Sequence, residues 1–204
     1  MTARRSLPLA VSADGRHFVD PTGVPAYWLG DTQWELVRAL SLEDAKEVLA
    51  VRQDQGFNLL LVMLLGVGAS GNADGRCDGR YANAYGERPW LNNDPLTPNE
   101  GYFRNVDAVV AGAKEIGMVL VLGLYHARTG SENPIQLTNA RAWARWVGSR
   151  YRDAQNIIWS MYPASVPASL PMVRELAEGL REGDGGRHLI TVHPDPSPAS
   201  SSQV

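Results

Sequence analysis

The residues in this chain that could do chemistry fall in three places, each just after an apolar run. Asp31 follows Ala26-Tyr27-Trp28-Leu29-Gly30, with Thr32 and Trp34 close behind. Tyr125-His126 follows Met118 to Leu124, and His193 follows His188 to Val192. In parallel α/β folds ligands bind at the carboxyl ends of strands, which is where these groups fall. Two readings of Asp31 stay open: a carboxylate that bonds sugar hydroxyls or assists catalysis, or the N-cap of a helix running through Trp34 to Val37. Asn83, Tyr85 and Glu87 form a further candidate set. They alternate, so an extended backbone would turn all three to one side. Amide, phenol and carboxylate together suit a polyol. The alternative is an Ω-loop packed on itself.

Other chemistries find less support. The histidines at 17, 126, 188 and 193 show no metal-ligand spacing, so no metal is expected. Gly66-Val67-Gly68 lacks the third glycine of a dinucleotide fingerprint, and no cofactor is expected. Cys77, the one cysteine, cannot form an internal disulfide and reads as an incidental thiol. The net charge is −3 and no basic run exists, which argues against nucleic acid and anionic membranes as partners. No stretch is long enough to cross a bilayer. Leu7 to Val11 is too short for a signal segment, so a cytoplasmic location is expected for the chain as given. The six Trp and seven Tyr include flat faces that suit sugar rings as well as a core.

The elements that must position these groups follow from periodicity. Residues 1–25 read as an N-terminal β-hairpin lid, with turns at Asp14-Gly15 and Asp20-Pro21-Thr22-Gly23. Residues 26–193 read as a run of βα units. Strands are expected at 26–29, 57–65, 118–124, 156–161 and 188–192. Phe57 to Leu65 is almost wholly apolar, as a strand buried on both faces should be. Helices are expected from Leu42 (capped by Ser41), from Tyr102 to Ile116, after Thr138, and around Met172 to Leu180. Successive strands lie roughly 30–40 residues apart, the length of a βα unit, except where 66–100 intervenes. That long Gly/Asn/Asp/Pro-rich stretch suggests a functional loop. Residues 194–204 form a Pro/Ser tail. The fold expected is α/β: a partial (β/α)₈ barrel of about five βα units. A complete barrel needs eight strands and typically about 250 residues, so 204 leave no room for the last three.

Several short motifs, weak singly, occur together in a fixed order. They are Trp28-Leu29-Gly30-Asp31-Thr32 with Trp34-Glu35, Gly56-Phe57-Asn58, and Asn83-Ala84-Tyr85-Gly86-Glu87. Next come Asn93-Asp94-Pro95, Pro98-Asn99-Glu100 and Tyr102-Phe103. Last are Asn156-Ile157-Ile158-Trp159, Glu182-Gly183-Asp184-Gly185-Gly186 and His193-Pro194. In this pattern the chain resembles the apiosidase-like glycoside hydrolases. The resemblance implies a barrel that cleaves plant-type glycans without a cofactor. Its carbohydrate-facing residues would be Asp31, Thr32, Trp34, Asn83, Tyr85, Glu87, Tyr125, His126 and His193.

Such enzymes set two carboxyl groups roughly 5–9.5 Å apart across the scissile bond. In the family the acid lies in a Gly-Gly-Asp run after strand four. Here that run reads Ser160-Met161-Tyr162-Pro163-Ala164, and Ala164 cannot transfer a proton. The second carboxylate comes from a later strand. The expectation is a glycosidase-type sector without activity of its own. The alternatives are a non-catalytic carbohydrate-binding protein or a remnant with neither activity. Two unpaired sheet edges and an open inner face would favour poor solubility, self-association or dependence on a missing C-terminal portion.

Overall fold

The computed structural model describes residues 10–66, 82–124, 134–161 and 170–193. Five short strands lie parallel in the order in which the chain makes them. They are β4 (Gly30–Thr32), β5 (Leu59–Met63), β6 (Val119–Gly123), β7 (Ile157–Met161) and β8 (Ile190–Val192). Among the described residues each is linked to the next through one α-helix: α1 (Leu42–Asp54), α2 (Glu100–Glu115), α3 (Ala140–Arg150) and α4 (Leu170–Asp184), with a short 3-10 turn at Leu91–Asn93 ahead of α2. A sheet whose order follows the chain, with one crossover helix per step, is the first part of a barrel winding.

Local chemistry sets the helix ends. Ser41 accepts a hydrogen bond from the Asp44 amide and caps α1, and Gly56 after it holds a left-handed φ of 89°. Asn99 caps α2 through the Gly101 amide. At α3 the N-cap is Asn139, not Thr138. Its amide is used on either side of the turn, accepting from the Gln136 N–H and donating to the Pro134 carbonyl.

The outer faces of β5, β6 and β7 carry Leu60, Val62, Leu120, Leu122, Ile157 and Trp159. These pack under α1–α4 with Leu49, Phe103, Val106, Trp143, Val147 and Leu180 in one core. The inner face carries a smaller cluster of Val119, Val121 and Ile158, packed with Trp28, Leu59, Leu61 and Leu189. Those three are under 10% exposed. The inner face is thus better covered than an open sector would suggest, because Trp28 folds across its lower end.

Trp28 comes from the N-terminal segment, where two expectations change. The hairpin has a third strand. β1 (Ala10–Val11), β2 (Phe18–Val19) and β3 (Pro25–Ala26) form an antiparallel meander. Ala26 therefore belongs to the meander, and the first barrel strand is Gly30–Thr32, not 26–29. The meander also joins at the amino ends of the strands. Asn58 at the foot of β5 accepts from the Leu29 amide and donates to the Tyr27 carbonyl, and Trp28 stacks on Phe18 at 4.5 Å. The segment floors the barrel rather than covering its mouth.

Candidate functional site

The mouth of the sheet is its carboxyl edge, and the direction of each side chain there follows from strand alternation. Asp31 sits inside β4 and points outward. Its carboxylate accepts from Arg52 Nε of α1 at 2.5 Å and from Gln33 Nε2 at 2.8 Å. These partners hold the Asp31 carboxyl below the ordinary carboxylate range, the Gln33 amide contributing most, with the Thr32 amide and Arg52 adding to it. No helix starts at Trp34. Residues 33–39 form successive turns closed by Leu36 N–H to Gln33 O and Ala39 N–H to Glu35 O, so Asp31 caps nothing.

With Asp31 outward, Thr32 faces inward, next to Leu61 in register. The same alternation turns Ser160 of β7 inward, since Trp159 and Met161 lie in the outer core. On β8, Ile190 and Val192 pack outward, so Thr191 and His193 face the inside. The His193 amide donates to the Met161 carbonyl at 2.9 Å. Ser160 stands beside Gly123 on one side and Thr191 on the other. At its mouth the inner face carries Met63, lying over Gly123, then Ser160 and Thr191, with His193 just beyond, while Thr32 stands level with Leu61. Ser160 and Thr191 were not among the residues expected from sequence. The β7 and β8 stretches are nearly all apolar, so the phase of each strand had to be fixed by its outward contacts first.

Behind the mouth lies a polar group that the sequence also concealed. Glu35 and Arg38 form an ion pair at 2.6 Å, three residues apart in the turn after β4. The pair packs on Gly66, at the exit of β5, so closely that a Cβ there would fall 2.5 Å from Arg38 Nε. Tyr102, fully buried, donates to the Leu64 carbonyl at 2.6 Å. Its phenol is pushed well above the ordinary range by burial. Asn105 donates to the Val37 carbonyl. Together these side chains fix the β4–α1 turn and the β5 exit relative to α2.

Asn83, Tyr85 and Glu87 do not converge on one point. Asn83 is buried, and its Oδ1 accepts from the Tyr85 and Glu87 amides, closing the loop on itself. The Tyr85 hydroxyl accepts from the Leu42 amide at the start of α1. Glu87 accepts from the Asn99 side chain at the start of α2. Each serves a local structural contact. Trp34 contributes its backbone carbonyl to the Met63 amide. Tyr125, His126, Cys77 and Ala164 lie outside the described residues, as does the tail from 194.

Among the described residues, no three His, Cys, Asp or Glu side chains gather as a metal would need. Among the same described residues, no helix is long and apolar enough to cross a membrane. A groove of about 410 Å³ lies on the outside of the sheet, lined by Gln33, Leu40, Asp44, Glu47, Val48, Val51 and Arg52. It runs beside α1 at the edge strand β4, away from the mouth.

The family model described as "Apiosidase-like, catalytic domain" matches residues 12–204. A glycoside hydrolase family 5 protein from Bacteroides vulgatus ATCC 8482 superposes with a TM-score of 0.80 at 25% identity, over 95% of this chain and 41% of its own. A family 5 mannosidase from Rhizomucor miehei gives 0.67 at 15% identity, over 93% and 56%. An endo-1,4-beta-mannanase from Rhizomucor miehei gives 0.64 at 14% identity, over 98% and 66%. The chain thus spans between two fifths and two thirds of the length of these structures. No curated protein matches it.

Proposed function

Because this chain belongs to the apiosidase-like catalytic domain family, we propose that it is one sector of a glycosidase barrel acting on plant cell-wall glycans of the pectic type. We further propose that these 204 residues by themselves hydrolyse nothing. The observation that carries this reading is the five-strand parallel sheet, in which β4 and β8 each pair on one side only among the described residues. A (β/α)₈ barrel closes by joining its first strand to its eighth.

Catalysis on this scaffold needs an acid and a second carboxylate facing each other across the mouth. The inward groups at the mouth of the described sector are Met63, hydroxyls and an imidazole. Thr32, Thr191 and His193 can hydrogen-bond a saccharide, whereas Ser160 is buried, and none of them is a carboxylic acid facing a leaving oxygen. Asp31, the nearest strand carboxylate, points to the opposite face and is engaged by Arg52. At the family's acid position the sequence has Ala164. The chain's part in the reaction is therefore to present one wall of the sugar site, the rest of a closed barrel being the strands between β8 and β4. The groove beside α1 suits a helix of that remaining part. It has an apolar floor of Leu40, Val48 and Val51 and an acidic flank of Asp44 and Glu47.

A carbohydrate-binding role without turnover is the second reading, favoured by the inward, exposed hydroxyls of Thr32 and Thr191. Titration calorimetry with pectic oligosaccharides tests whether the wall recognises sugar. Heat that saturates at millimolar concentrations or below, and weakens in Thr32→Val or His193→Ala, supports a saccharide site. No heat with any plant glycan would leave the chain a remnant and contradict the proposal.

A further inference from the structure

The inner row at the mouth contains one position without a side chain. On β6, Leu120, Leu122 and Leu124 pack outward and Val119 and Val121 inward, so Gly123 faces the inside. On β5 the same alternation turns Met63 inward after Leu59 and Leu61. Met63, Gly123, Ser160 and Thr191 stand side by side in register. Gly123 ends a regular strand and is not among the glycines with positive φ, so backbone freedom is not what it supplies. Glycine in a strand often marks a place where another group comes close. Here that group is the Met63 thioether. A Cβ on residue 123 would overlap Met63 Sδ and stand 2.8 Å from its Cε. The Met63 side chain therefore lies down across β6 instead of rising toward the mouth. Methionine, unbranched and with three rotatable bonds, suits such a notch.

The level of each group matters for binding. Met63 and Ser160 are each 1% exposed, whereas Thr191 is exposed and His193, further along the chain, is half-buried. The thioether thus lies under the surface of the wall and acts through the groups above it. Below it, Leu61 and Val121 close the inner face. On the β4 side Trp34 stands level, its carbonyl receiving the Met63 amide. For a thioether driven out of the notch, the open direction is up, toward the mouth.

We infer that the Gly123–Met63 pair sets the depth of the sugar site. The missing side chain on β6 lets the thioether lie flat, which leaves room for a saccharide beside Thr191 and His193. The inference rests on the reading of this face as one wall of a sugar site. It adds a specificity-determining pair, in which neither residue bonds the sugar and both decide how bulky a ring the wall accepts. One methylene-sized change in a pocket shifts binding on the order of 10- to 200-fold.

The test uses the whole 204-residue chain and titration calorimetry with pectic oligosaccharides. Gly123→Ala should bind about tenfold more weakly than the wild type, or worse. Gly123→Ala/Met63→Ala, in which the new methyl has the notch to itself, should return close to wild-type affinity. With the methionine methyl groups isotopically labelled, the Met63 signal, assigned by its loss in Met63→Ala, should move in Gly123→Ala. Unchanged affinity in Gly123→Ala overturns the inference and leaves the sugar wall standing. So does a double variant as weak as the single one, or weak where the single one does not fold, since the loss then lies in β6 itself. A Met63 signal that stays in place overturns it too. No binding by the wild type overturns the sugar wall, and this inference with it.

Discussion

Asp31 illustrates how a residue can be placed at the right sequence position and turned to the wrong face for catalysis. Its carboxylate lies between Gln33 and Arg52 on the helix side of β4, and these bonds lower its pKa. A carboxyl lowered in the folded state stabilises at pH values above its unfolded value, near 3.9, and the benefit disappears as pH falls through the folded value. Asp31→Asn keeps the shape and removes the charge. It should cost about 1 kcal/mol at pH 7, a modest figure because the pair is partly exposed. The two proteins should converge in stability once the pH has fallen below the folded value. Denaturant titrations at pH 7, 5 and 3 check this, and a constant difference across the series would contradict it. From sequence, Asp31 was legible as the residue after an apolar run, but not its direction. That depends on Arg52, 21 residues away, and on β4 starting at Gly30 rather than Ala26. The Asn83–Glu87 set failed as a converging site for a related reason. Alternation predicts a common side only for an extended chain, and here Asn83 bends the chain into a turn.

At the scale of elements, the helices were the most readable part. Ser41, Gly56, Asn99 and Gly117 mark ends by chemistry that acts within a few residues, and the stripe Ala140, Trp143, Ala144 and Val147 faces inward as its spacing requires. What local pattern could not show is how α3 meets α4. The end of α4 expected near Gly183 falls at Asp184, and Gly183 is also a contact point. A Cβ there would strike the Arg145 carbonyl and fall 2.7 Å from the Ser149 amide nitrogen. Gly179, one turn earlier, meets Arg141 and Ala144 in the same way, and Gly148 opposes them from α3. The two backbones therefore run in close contact. Helix propensity alone favours alanine over glycine by about 1 kcal/mol, whereas overpacking a backbone contact costs about 1–3 kcal/mol or more. Gly183→Ala should thus be destabilising on balance, with a lower melting temperature. A more stable variant would show that the helices can separate freely.

The whole molecule was legible as a βα array because each strand is a short apolar run bounded by turns, and because parallel winding leaves few topologies. Its floor was not legible. The short meander strands and the fold of Trp28 over Val119, Val121 and Ile158 depend on contacts distant in sequence. That floor moderates the exposure expected of an open sector, but among the described residues β4 and β8 still pair on one side only, and Val24 and Tyr27 are both more than half exposed. Free parallel edges promote association. Sedimentation velocity over a concentration series should show mass rising with concentration. A compact monomer throughout would mean that the floor and edge side chains suffice to protect the sheet.

The most direct measurement is sugar release itself. The 204-residue chain is incubated at high enzyme concentration with a panel of pectic oligosaccharides, and the products are resolved by chromatography against a buffer control. The account predicts that every oligosaccharide is recovered intact, because Ala164 offers no proton and the described wall holds no inward carboxylate. Release of free sugar that co-purifies with the chain and disappears in His193→Ala would contradict it.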